Sequence, residues 1–179
     1  MWGRFNSFSA VLHSTAMSEF TSTPNIQFRE ITRETVIAIC RLKVSPEQEK
    51  QVAPNAISIA QAHFHPEAYF RGIYAGDEPV GFFMLEDHMQ TPGPWPDDFI
   101  SRRYLGLWRF MIDQRYQGNG HGAGAMRMII EYARSRGTFR ELLLSHVPGA
   151  TSPHDFYARF GFAETGEMDG IERVMSLRL

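Results

Sequence analysis

The chain has a single cysteine, Cys40, among its 179 residues. One thiol excludes an intrachain disulfide, and its place in an apolar helical pattern makes it a core residue rather than a nucleophile. The seven histidines are scattered and meet no second cysteine, so zinc-ligand spacing is missing and no metal is expected. No apolar run reaches the roughly 18 residues of a membrane-spanning helix. Excess charge is lacking too: 18 Lys and Arg against 20 Asp and Glu leave a net charge of −2. No Lys/Arg run departs from that balance, so neither nucleic acid nor a membrane surface is an expected partner. A cytoplasmic location is expected. The first 24 residues are Ser/Thr-rich, with no acid before Glu19. One arginine is thin support for a transit peptide. They are expected to be a disordered extension, with Met17 as a candidate true start. Residues 25–179 suffice for one domain with a full core.

What is present reads as alternating short elements. "IQFREI" alternates as a first strand, and "TRETVIAICRLKV" is helical, with Thr32 as its N-cap and Val36, Ile39, Cys40 and Lys43 on one face. Ser45-Pro46-Glu47 starts a second short helix, and Ala56 to Ala62 another. "YFRGIYA" and "VGFFMLED" form a hairpin across Gly76-Asp77. The proline-dense "TPGPWPDDF" is expected to be a surface loop. "YLGLWRFMI" is continuously apolar, as in a strand buried on both faces. After a glycine turn comes a helix with Met126, Ile129, Ile130 and Ala133 inward, ending near Gly137. "RELLLSHV" is a buried strand. Ser152 caps a helix with Pro153 at its first position, and strands around "FAETGEM" and "IERVMSLRL" end the chain. The order predicts a single-domain α+β fold: a mixed, mostly antiparallel sheet of about seven strands, a central parallel βαβ crossover and flanking helices.

The stretch "YQGNGHGAGA" places four glycines at a strand-to-helix junction. Backbone N–H groups can converge there, at the positive end of a helix, on a phosphate or pyrophosphate. A Walker A loop is excluded, because no lysine is present. A dinucleotide fingerprint matches Gly118, Gly120 and Ala123 but lacks the ribose-binding acid at the end of the next strand. The third pattern is Q/R-x-x-G-x-G/A, carried by Gln117, Gly120 and Gly122. With the strand before it, this segment resembles the acyl-CoA-binding motif of the GNAT N-acetyltransferase superfamily. "FYARFGF", Phe156 to Phe162, is similar to that superfamily's Tyr-x-x-x-Gly-Phe segment, and the element order agrees from about Ile26 onward. Within the superfamily, "VSPEQEKQVAPNAISIAQA", "PVGFFML" and "LWRFMIDQRYQGNGHG" resemble the bacterial-type spermine/spermidine acetyltransferases, over most of Arg41 to Phe162.

The resemblance implies transfer of acetyl from acetyl-CoA to an amine by direct attack on the thioester, with no metal and no covalent enzyme intermediate. It assigns the cofactor to Gln117, Gly118, Asn119, Gly120, His121 and Gly122 for the pyrophosphate, and to Phe110, Met111 and Ile112 for the pantetheine arm. An N–H near Met111 is the candidate oxyanion donor, and Tyr157 matches the general acid that protonates the leaving thiolate. The position where some members carry a glutamate is Gly106, so a base must come from elsewhere. Glu86, acting through water, is the candidate, with Asp87 beside it; the plainer reading is a solvated strand end. Acids and aromatics suited to a polyamine are Glu67, Glu86, Asp87, Asp97 and Asp98 near Tyr69, Trp95 and Trp108. Of these, Glu67, Asp87 and Trp108 are taken as substrate-binding. The asparagine often found seven residues before the tyrosine is Ala150 here, with Ser152 as a partial replacement. The expected partners are acetyl-CoA and a small amine, with a homodimer as the candidate assembly. The alternatives are another small amine or a protein N-terminus as acceptor, or a non-catalytic acyl-CoA-binding module.

Overall fold

The computed structural model describes residues 25–179. The extension expected over residues 1–24 lies outside them. Seven strands form one sheet in the order β1-β2-β3-β4-β5-β7-β6. They are β1 (Ile26–Arg29), β2 (Ala68–Ala75), β3 (Glu78–Glu86), β4 (Tyr104–Ile112), β5 (Glu141–His146), β6 (Ala163–Asp169) and β7 (Glu172–Arg178). Only β4 and β5 pair in parallel, and helix α4 (His121–Ser135) connects them. This is the expected mixed α+β architecture. Among the described residues, no helix is long and apolar enough to cross a membrane.

Period-two alternation builds a core on each face of the sheet. Along β3, Phe82 and Met84 join Ile39 and Leu42 on the face that carries α1 (Val36–Cys40) and α2 (Asn55–Ala62). Phe83 and Leu85 face the other way, toward Met126 and Ile129 of α4. The apolar stripe of α4 is buried as its 3.6-residue spacing predicts.

Four expectations shift. The "TPGPWPDDF" segment is a loop only to Pro96, and α3 (Asp97–Arg102) follows it with Phe99 fully buried. All its prolines precede the helix, where a missing N–H costs nothing, and Asp97 and Asp98 complement the helix N-terminus. The first helix begins at Val36 rather than after Thr32. The Thr32 carbonyl accepts from the amides of Thr35 and Val36 in a preceding turn, and Leu42 rather than Lys43 is buried. The Ser45-Pro46 helix is a single 3₁₀ turn, Pro46–Gln48. At the last helix, α5 (His154–Ala158), the cap position is Pro153, one residue later than expected. Ser152 still accepts a hydrogen bond from the His154 amide at 3.2 Å.

The β3–β4 pair has no slack at Gly81, where a Cβ would lie 2.4 Å from the Met111 carbonyl oxygen. Backbone cannot yield there without breaking the ladder. Gly81→Ala should therefore cost about 1–3 kcal/mol, a fall in thermal midpoint of roughly 2–12 °C by calorimetry. An unchanged midpoint would contradict this account.

Candidate active site

The site begins where two strands part. β4 and β5 pair from Tyr104↔Glu141 to Gly106↔Leu143 and no further. β5 then stays with β7, and β4 stays with β3. A bulge drives the separation: Leu107 pairs with Leu85 and Arg109 with Met84, leaving Trp108 unmatched. The wedge between the strands is a cleft of about 630 Å³, lined by Leu107 through Ile112, by Ser145 and His146, and by α5.

One end of the cleft is the glycine turn. Gly118 and Gly120 both have φ +79°, a left-handed conformation that side chains rarely adopt. Gly120 is the N-cap of α4 and has no side chain to bond the helix's first amides. Those N–H groups are left as open donors at the positive end of the helix dipole. Gln117 does not reach outward. Its Nε2 donates to the Ile112 carbonyl at 2.8 Å and to Gln48 Oε1 at 2.9 Å, bracing the turn against β4. Asp113 anchors the same corner, accepting from the Lys43 and Arg115 amides and the Arg115 guanidinium. Burial works against its ionisation, but these donors outweigh it and hold its carboxyl below the usual range.

The opposite wall is α5. Phe156 stacks on Phe110 with centroids 5.9 Å apart. Tyr157 also lines the cleft and is only 7% exposed. Burial pushes its phenol well above the ordinary value, so at neutral pH it holds its proton and acts as a donor. Ser152 lines the cleft nearby, its Oγ 2.8 Å from Nδ1 of buried His146.

The predicted residues divide. Phe110, Met111, Ile112, Gln117, Gly118, Gly120, Gly122, Ser152, Tyr157 and Trp108 line one cleft. Asn119 and His121 belong to the turn and the helix start, but they are not among its lining residues. Glu67, Glu86 and Asp87 also lie outside it. Asp87 must be corrected as a substrate ligand. It has no exposed surface, its Oδ1 accepts from the Met89 amide, and Arg136 stands 3.6 Å from Oδ2. It is a buried turn cap. Glu67 bonds His65 at 2.8 Å, and that ring meets Trp108 edge-on at 5.0 Å.

Glu86 occupies a telling place. A Cβ on Gly106 would lie 3.0 Å from its Oε2, so its side chain folds over the glycine, next to the first cleft residue of β4. His88 Nε2 is 3.0 Å from Oε1. Burial raises the Glu86 pKa; His88 opposes this, and Glu67 and Asp98 reinforce it.

Sequence reasoning missed His146, Gln48, Gln51, Arg127 and Arg159 in the lining. Nothing local marks them, since the fold alone brings them together. It also missed the charge of the cleft. No Asp or Glu is among the described lining residues, whereas Arg109, Arg127 and Arg159 are. Arg109 bonds the Trp108 carbonyl and Gln61 with its terminal nitrogens, and its buried Nε has no partner.

Comparison with known proteins agrees with this geometry. The model of the acetyltransferase (GNAT) family matches residues 36–162. The spermine/spermidine N(1)-acetyltransferase of Bacillus subtilis is 27% identical over 157 residues, covering 84% of this chain and 97% of that protein. Two solved structures share the fold. PaiA N-acetyltransferase from Thermoplasma acidophilum, in complex with coenzyme A, is 16% identical with a TM-score of 0.58, over 86% of this chain and 99% of that one. A GNAT family acetyltransferase from Elizabethkingia anophelis, with acetyl-CoA bound, is 15% identical with a TM-score of 0.57, over 87% and 99%.

A carboxyl whose pKa is raised on folding keeps a proton that the unfolded chain has released. Glu86 therefore subtracts stability as pH rises from the ordinary carboxylate range through its raised value. Glu86→Gln should raise the thermal midpoint at pH 7, and the gain should vanish below about pH 4, where both carboxyls are neutral. A midpoint lowered or unchanged at pH 7 would show that the charge is not under strain.

Proposed function

The chain belongs to the acetyltransferase (GNAT) family, and from that premise we propose that it transfers acetyl from acetyl-CoA to a primary amine, polyamines first, in the cytoplasm. The observation that carries this reading is the wedge between β4 and β5, with open helix amides at one end and the buried phenol of Tyr157 on its wall.

These residues fit acetyl-CoA. The open amides of Gly118, Asn119, Gly120, His121 and Gly122 suit a pyrophosphate, with Gln117 bracing the turn. Beyond Gly106, β4 has no strand on its β5 side, so the edge at Phe110, Met111 and Ile112 suits an extended amide-bearing arm. Ser152, fixed by His146, is the adjoining side-chain contact. Bound acetyl-CoA supplies a thioester whose carbonyl carbon bonds the amine nitrogen as the C–S bond breaks.

The protein's own groups have three tasks. The N–H near Met111 polarises the carbonyl, a contribution of about 3–4 kcal/mol for one such donor. Tyr157, protonated because it is buried, gives its proton to the departing sulfur. Glu86, through water, accepts the proton of the amine. An alkylammonium near pKa 10.4 needs about 4.6 kcal/mol to be neutral at pH 7. A carboxylate beside Gly106 lowers that cost by giving the proton a nearby acceptor. Its raised pKa makes it a stronger base than an exposed glutamate.

Two observations support a polyamine. One relative carries that name. Glu67, His65 and Trp108 form a contact chain from an acid to the cleft wall, where a distal ammonium would sit. Arg109 favours a second reading. A cation in a cleft with no lining carboxylate suits an amine that also bears an anion.

Thiol release from acetyl-CoA with spermidine, spermine, amino acids and a peptide N-terminus separates these. Polyamine turnover is expected, and none over background with either polyamine removes that substrate. Tyr157→Phe should bind CoA and lower kcat about 10²-fold. If the unaltered protein binds CoA yet never turns over, it is a binding module instead.

A further inference from the structure

We propose that Ser145, its hydroxyl proton committed to Glu172, receives an N–H of the acceptor amine and turns the nitrogen's lone pair toward the thioester. Ser145 is then a substrate-contacting residue, and Glu172 is a positioning residue that acts through it. This rests on the acetyl-transfer reading above and adds the contact that orients the acceptor.

The pairing of β5 with β4 ends at Leu143, so Ser145 stands two residues past the parting of the strands. β5 buries Leu142, Leu144 and His146, and alternation turns the half-buried Ser145 to the other face. There it lines the cleft. Its Oγ donates to Oε2 of Glu172, the first residue of β7. A serine has one hydroxyl proton. With that proton held by a carboxylate, Ser145 shows the cleft only lone pairs.

The neighbouring side chains cannot do the same. Trp108 and Arg109 line the cleft from β4, and indole and guanidinium groups only donate. His146 Nδ1 is engaged with Ser152, and its Nε2 is buried. An attacking nitrogen needs its lone pair free for the carbonyl carbon, so its N–H groups must find acceptors elsewhere. At the parting, Ser145 is the side chain arranged to be one. The charge behind it reaches across the wedge: burial works against the Arg109 cation, and Glu172 opposes that effect. A hydrogen bond that served only to tie β5 to β7 would be redundant. The two strands already pair from Glu141↔Arg178 to His146↔Arg173.

Acetylation kinetics of the full chain with spermidine and with an amino acid test the contact, with CoA affinity measured in parallel by calorimetry. Ser145→Ala should lower kcat/KM for the amine that is turned over about 10-fold, the loss expected for one such hydrogen bond, while CoA affinity holds. Ser145→Thr, which keeps a hydroxyl, should recover most of that loss. Glu172→Gln should lower kcat/KM when Ser145 is present and add nothing to Ser145→Ala, because it acts only through the hydroxyl. An unchanged kcat/KM in Ser145→Ala overturns the contact, as does a loss matched by equally weakened CoA binding. A Glu172→Gln effect that is absent, or that persists in full without the hydroxyl, overturns the positioning role. Absence of turnover of every amine by the unaltered protein overturns the acetyl-transfer reading, and this role with it.

Discussion

The separation of β4 from β5 at Gly106 is the constraint on which the rest depends. Two adjacent parallel strands would normally satisfy each other's backbone. Here each keeps one partner, β3 or β7, and turns an unpaired edge toward the other. An edge of free N–H and C=O groups is costly when buried and prone to false pairing when exposed. The structure keeps it inside a narrow cleft and closes one corner, where the Gln117 amide takes the Ile112 carbonyl. The remaining groups of β4 face the cleft without a strand partner on the β5 side. The bulge at Trp108, the glycine turn and the placement of α5 maintain that opening and give it ends.

Much of this was legible before any fold was known, because it rests on local physics. The continuous apolar run of β4, the stripe of α4 and the glycines at their junction follow from strand, helix and left-handed turn chemistry. The "FYARFGF" segment placed Tyr157, and the fold then buried it. The bulge was not legible. Trp108 is one apolar residue in an apolar run, and only the register with Leu85 and Met84 shows that it is skipped. Nor was the fate of the acids. Glu86 and Asp87 look alike at a strand end, yet one folds over a glycine and the other is sealed beneath a turn. Helix α3 was hidden because proline density marks where a helix cannot be, not where the next one starts. Arg127 and Arg159 are 32 positions apart and meet only through the crossover.

The charges are segregated. Among the described residues, every charged one lining the cleft is an arginine, while Glu67 and Asp98 act on Glu86 outside it. A strongly anionic donor is favoured along the cleft, and a cation is favoured only at the end nearest those acids. The two signs of charge thus lie toward opposite ends of β4's cleft edge. Arg109 stands on that edge, desolvated and incompletely bonded. Its field disfavours a second cation beside it.

Gly106 and Glu86 are best understood together. In the superfamily this chain resembles, some members carry a glutamate at the position of Gly106. Glycine at this position leaves open the space above it. The neighbouring strand fills it: Glu86 is paired directly with Gly106, and its Oε2 lies 3.0 Å from where a Cβ at 106 would stand. A Cβ at 106 would crowd the Glu86 Cβ at 3.1 Å and its Oε2 at 3.0 Å, so a side chain there would require Glu86 to shift. A carboxylate displaced by one strand remains at the same level of the sheet and on the same side of the cleft's inner end. It also meets His88 Nε2 at 3.0 Å. The glycine thus leaves the room over which the Glu86 side chain folds.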